Sequence, residues 1–220
     1  MRKINLVRTL LPLLFCLCVA ANAHADTITL GSVGTATNSG QSNSNGSTVA
    51  ISPNSNWAPA LSGTSWVSFG LTGDTQDPGF SVVPNGTVVS FYDVFNVPGV
   101  ATGGSLTVMA DDSATVILNG VTLVGEASAS GNTYAICSDF GIGCLRPTTF
   151  DLPTSVLKTG SNTLEFQVAQ RNGVSFGLDY SGFVTDPVAT PEPGSGILLG
   201  LGLLAMAVFG LRRRRTASLG

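Results

Sequence analysis

Apolar and polar residues alternate with a period of two in several segments of the chain's interior. Leu106, Val108 and Ala110 stand against Thr107 and Met109, and Leu164, Phe166 and Val168 stand against Glu165 and Gln167. A period of two sends successive side chains to opposite faces of an extended strand, so each segment buries one face and wets the other. On this pattern strands are predicted over residues 64–69, 87–97, 105–110, 114–118, 121–124, 163–169 and 175–180. Asn119-Gly120 separates two of them by two residues, the sequence of a type I′ hairpin turn. Gly160-Ser161-Asn162 turns the chain ahead of another strand. No long stretch between the termini repeats its apolar residues at helical spacing. The expectation is an all-β fold, one antiparallel β-sandwich of about 165 residues, which is long enough for a single core.

Three segments depart from the alternation. Residues 35–56 are almost entirely Ser, Asn, Gly and Thr with little to bury, and read as a mobile loop or flexible lead-in. Residues 9–20 are apolar and follow Arg2, Lys3 and Arg8. Ala23 and Ala25 then place small residues where a signal peptidase reads, which predicts a secretory signal peptide over 1–25, cut before Asp26. Neither Cys16 nor Cys18 follows the small residues of a lipoprotein signal. The third departure is the run 196–211, sixteen residues without a charge. At about 1.5 Å per residue it spans roughly 24 Å, a little short of a ~30 Å hydrocarbon core, so it inserts marginally. Arg212, Arg213, Arg214 and Arg215 hold its C-terminal end in the cytoplasm. Pro191 and Pro193 stop a helix from extending backward and keep Pro191-Glu192-Pro193 extended just outside the membrane.

Tripeptide, apolar span and basic stop, in this order, resemble the PEP-CTERM sorting signal of bacterial surface proteins. The resemblance covers about 30 of the 220 residues. It implies export, residence in the inner membrane with the ectodomain in the periplasm, cleavage by an exosortase-type protease, and release to the cell surface or an exopolysaccharide matrix. A tail anchor that is never processed is the alternative. The expected organisation is therefore signal peptide 1–25, ectodomain 26–186, linker 187–195, transmembrane helix 196–211 and basic tail 212–220.

Removing both terminal segments changes the charge. Seven of the ten basic residues lie in them, and residues 26–190 keep Arg146, Lys158 and Arg171 against twelve acids, nine units negative. Such a surface repels polyanions, so a nucleic-acid partner is excluded. His24, the sole histidine, leaves with the signal peptide. Its loss removes the usual base of Ser-His-Asp and Cys-His catalysis and the commonest zinc ligand. The acids are scattered and no spacing singles out the carboxylate pair of a glycosidase, so the ectodomain is read as non-enzymatic, with a hydrolase as the remotest reading.

Cys137 and Cys144 flank six residues that include Gly141 and Gly143. In an oxidising compartment this reads as a local disulfide, with metal binding as the alternative. The stretch from Ala110-Asp111-Asp112 to Asn119-Gly120, and that from Leu157 to Phe166 around Gly160-Ser161-Asn162, resemble paired motifs of galactose-binding-like jelly rolls. That resemblance covers roughly residues 85–182 and implies a jelly-roll-like sandwich, with Asp and Asn holding turns. Two ligand readings remain open. Trp57, beside Pro59 after a polar loop, reads as exposed and suits stacking on a sugar, whereas Trp66 lies in an alternating strand and reads as core. Asp111, Asp112 and Asp139 offer carboxylate oxygens to calcium, or else form a solvated or turn-capping acidic pair.

Overall fold

The computed structural model describes residues 26–33, 40–41, 47–127, 134, 136–138, 140–186, 200 and 202–203. The expectations for residues 1–25, Pro191, Glu192, Pro193 and Arg212 to Arg215 lie outside these, as do Asp139 and all but three residues of 196–211. Gly200, Gly202 and Leu203 are helical, and among the described residues no helix is long and apolar enough to cross a membrane. The described fold lies within one compact unit, Ala25–Val188.

That unit is all-β. Its strands are β1 (Asp26–Gly31), β2 (Gly40–Gln41), β3 (Val49–Ala50), β4 (Val67–Ser68), β5 (Val88–Val97), β6 (Gly103–Asp111), β7 (Ser113–Leu118), β8 (Val121–Val124), β9 (Thr148–Asp151), β10 (Gly160–Ala169) and β11 (Gly177–Asp186). One sheet runs β3-β4-β11-β6-β9 with β1 also on β11, the other β2-β5-β10-β7-β8, and every pairing is antiparallel. The alternation read from the sequence holds along β10 and on β6 as far as Val108, whereas Met109, expected on the wet face, is buried in a second apolar cluster. Leu106, Val108 and Ala110 face Leu164, Phe166 and Val168 across the core, while Glu165 and Gln167 lie on the partly wet face. Burial of these aliphatic and aromatic side chains, each contributing about 1.5–3 kcal/mol, is the main force joining the sheets.

The hairpin is as expected. Leu118 pairs with Val121, and Asn119 and Gly120 have φ of 52° and 83°, the doubly positive signature of a type I′ turn. Asn119 also reaches outside its turn. Its Nδ2 donates to Val156 O and Asn162 Oδ1, both at 2.8 Å, and its Oδ1 accepts from Thr163 N at 3.0 Å. Asn162 in turn accepts from Lys158 N and donates to Lys158 O and Gly160 O, fastening the turn that precedes β10.

Several boundaries differ from expectation. Only Val67 and Ser68 of 64–69 pair as a strand, because the backbone before them bonds to loops instead. The strand expected over 175–180 starts at Gly177 and continues to Asp186, since β1 supplies a partner for its second half. The expectation of a mobile segment over 35–56 is corrected in part. Val49–Ala50 pairs with β4, Gly40–Gln41 pairs with β5, and Ile51 and Thr48 are buried. β1 and β9 were not anticipated.

The outer faces of the two sheets differ. Residues from Ile51 to Trp66 fold over part of the outer face of the first sheet and build a second apolar cluster there from Ile51, Trp57, Trp66, Met109, Cys137 and Cys144. Asp179 on β11 anchors this cover: its Oδ1 accepts from Ser32 Oγ and Thr64 Oγ1, and its Oδ2 from Leu61 N, at 2.6–2.7 Å.

Candidate functional site

The chain crosses between the sheets twice at one end of the sandwich. It passes from β6 to β7 through Asp111-Asp112, and from β10 to β11 through residues 170–176. Asp112 clamps the two crossings together. Its Oδ2 accepts from Arg171 N at 2.7 Å and Asn172 N at 2.8 Å, while its own N–H donates to Ala169 O. Arg171 continues outward into a double contact with Glu126 at 2.5 Å. The expectation that Asp111 and Asp112 are a solvated pair is therefore corrected: they are 4 % and 1 % exposed. The turn-holding alternative is what Asp112 does.

Asp111 points into the second apolar cluster. Its Oδ2 accepts from Trp57 Nε1 at 2.8 Å. Burial, first, and then the hydrogen bond and negative charge of Asp112 push its carboxyl up to about 10, against the donation from Trp57. Asp111 is thus a protonated acid at neutral pH. The Oδ1 atoms of Asp111 and Asp112 are both buried and accept from no donor.

Trp57 is not an exposed platform. It is 7 % exposed, its ring centroid lies 4.4 Å from that of Trp66, and its indole N–H is used by Asp111. A tryptophan that can bury its ring and satisfy its single donor has no reason to stay in water. The exposed aromatic at this end is Phe140, 62 % exposed, on the loop closed by the Cys137–Cys144 disulfide. Sequence reading passed it over because a lone Phe carries no local sign of exposure. The loop is docked on the corner through Ser138 N to Asp112 O (2.9 Å), Ala110 N to Gly143 O (3.2 Å) and Ala58 N to Cys144 O (2.9 Å). Gly143 is required there, since a Cβ would stand 2.6 Å from Ser138 O. Leu145 and Ile136 beside the disulfide, and Val174, Val82 and Leu71 on neighbouring loops, are exposed as well.

These atoms supply little of a calcium shell. Calcium takes about six to eight oxygens. The pair offers Asp111 Oδ1 and Asp112 Oδ1, the other two oxygens being engaged, and Asp139 lies outside the described residues. Gln170 Oε1 is buried without a donor too, but that side chain turns to Val83 and Ser175. Two buried oxygens fall well short of the shell that calcium takes.

Elsewhere a cleft of about 330 Å³ opens beside β1, lined by Leu30, Val33, Thr64, Ser181 and Asp93 among others. Asp93 accepts from Tyr180 Oη at 3.0 Å, and burial raises its carboxyl against that bond. The cleft contains one carboxylate among its lining residues, whereas glycoside hydrolysis needs two.

The fold class is an antiparallel, jelly-roll-like β-sandwich. Residues 189–215 match the PEP-CTERM protein-sorting motif, so the chain carries that sorting signal. No curated protein matches the sequence. Among solved structures it is similar to the Streptomyces avermitilis alpha-L-rhamnosidase complexed with L-rhamnose, at 19% identity and TM-score 0.40 over 60% of this chain and 12% of that one. It is similar also to a family 35 carbohydrate binding module from Clostridium thermocellum, at 10% identity and TM-score 0.40 over 71% of this chain and 97% of that one. A third is the carbohydrate-binding module CBM36 in complex with calcium and xylotriose, at 11% identity and TM-score 0.30 over 63% and 98%. The chain spans about an eighth of the rhamnosidase, 12% of its length.

Proposed function

We propose that this is an exported protein of the cell surface or extracellular matrix. Residues 1–25 direct export, 196–211 hold it in the inner membrane, and an exosortase-type protease cuts near Pro191, Glu192 and Pro193. The ectodomain 26–186 then works without catalysis, in association with the envelope or its exopolysaccharide. The observation that carries this reading is the sorting-motif match over 189–215, which includes the tripeptide, the uncharged span and the four arginines. The physics agrees: a span of marginal length flanked by arginines on one side and an extended proline tripeptide on the other is a retained but accessible substrate. Mass spectrometry of the surface pool in the native host tests it. The mature chain is expected to lack residues 196–220, and recovery from that pool of a peptide containing Leu211 overturns the reading.

One observation favours carbohydrate binding as a second reading: Phe140, exposed on a disulfide-closed loop among other exposed apolar side chains, is an aromatic face available to stack on a sugar ring. A glycan array probed with the mature chain and with its Phe140→Ala variant tests it. A signal lost in the variant supports the reading, and equal arrays, or none, remove it.

A further inference from the structure

The donors that converge on Asp111 are soft ones. Its carboxylate and the sulfurs of Cys137 and Cys144 lie within 4.8 Å of one another, all three residues are buried, and Asp111 Oδ1 has no hydrogen-bond partner. We propose that this corner is a redox-gated site for a thiophilic divalent cation of the zinc or cadmium class, formed by Asp111, Cys137 and Cys144 when their disulfide is reduced.

Thiolate sulfur and carboxylate oxygen are both zinc donors, with Zn–S near 2.3 Å and Zn–O near 2.0–2.2 Å, and three protein ligands leave a fourth tetrahedral position to water. Two thiolates on such an ion sit roughly 3.7 Å apart, so the sulfurs need only part from bonding distance, and the carboxylate is already within reach. The loop does not depend on the disulfide for its place. The backbone bonds Ser138 N to Asp112 O, Ala110 N to Gly143 O and Ala58 N to Cys144 O hold both of its ends on the corner. Disulfide and metal are thus alternative closures of one loop. A phosphine reductant is oxidised to its oxide as the Sγ–Sγ bond breaks, and the sulfurs take two protons from water. Binding of the ion then returns the two thiol protons and the proton of Asp111 to solvent. The oxidised protein offers no thiolate and binds nothing here. This inference is independent of the proposed export and ligand readings.

The test titrates the full chain with cadmium before and after phosphine reduction, with Cys16→Ser and Cys18→Ser in every sample so that two thiols count. The reduced protein is expected to develop the ultraviolet cadmium–thiolate charge-transfer band, saturating at one ion per chain, and to recover the melting temperature lost on reduction. Zinc should displace the cadmium. Losing even a group that only orients a ligand costs about 10- to 100-fold in metal affinity, so Asp111→Asn is expected to weaken binding at least that much. The same variant should leave the oxidised melting temperature at pH 7 no lower than that of the parent, because Asn imitates the neutral acid and carries no proton to lose on unfolding. Absence of the band after reduction, its presence in the oxidised protein, or an Asp111→Asn titration that overlays the parent would each overturn the proposal.

Discussion

Asp111 shows what a single side chain's surroundings do to it. Its carboxyl is raised from 3.8 to about 10, first by burial beside Trp57 and then by Asp112. The folded state therefore holds a proton that the unfolded chain releases, and stability falls as pH rises through the window between those two values. Asp93 is raised as well, chiefly by burial, and acts in the same direction. Melting temperatures of the oxidised protein are expected to decline from pH 5 to pH 9, and Asp111→Asn should flatten the decline. A parent curve that rises over that range would show that Asp111 is ionised in the fold. Nothing in Asp111-Asp112 as a sequence announces this, since the same dipeptide in water would ionise freely.

At the scale of elements, the β7–β8 hairpin and the turn before β10 are one unit, joined by the Asn119–Asn162 pair. Gly120 holds a φ of 83°, a region that a β-branched residue enters only under strain. Gly120→Val is expected to lower stability by more than about 1 kcal/mol in denaturant titration although its Cβ would meet nothing. Asn162→Ala strips buried partners from Asn119, Lys158 and Gly160 and should cost about 2–3 kcal/mol, whereas exposed Ser161→Ala should stay within about 0.5 kcal/mol. Equal midpoints for the two Ala variants would mean that the asparagine pair is ornamental. The strands of this unit were legible because alternation and Asn-Gly are local signals. The short pairings β2 and β3 were not, because each depends on what strand happens to lie beside it.

For the whole molecule, the two terminal segments and the sandwich obey different rules. The ectodomain is nine units negative once the basic termini are set aside, three basic residues against twelve acidic between 26 and 190. A gel-shift assay with duplex DNA at low ionic strength, where any phosphate affinity is strongest, should show no retardation by the mature protein. Retardation would reveal a basic face that the net charge conceals. The sandwich also carries unequal outer faces. Part of one is sealed by the segment from Ile51 to Trp66 around a second apolar cluster. On the other, Glu165 gathers hydrogen bonds from Ser90 Oγ (2.8 Å), Tyr92 Oη (3.4 Å) and Gln167 Nε2 (2.9 Å) in a partly exposed polar row.

The sequence by itself determined the features whose cause is contiguous in the chain: the period of two, the type I′ turn, the cysteine pair seven positions apart, and the sorting motif, which is read as a linear signal. Tertiary structure alone decided what depends on neighbours brought from afar. Trp57 is buried because Asp111, 54 positions on, accepts its N–H and Trp66 covers its ring. Asp111 keeps its proton because an apolar cluster and Asp112 surround it. Phe140 stands exposed because its loop is stapled and docked from both ends while none of the described residues covers its ring. Burial is a property of assembled surfaces, and no local pattern records which surfaces will meet.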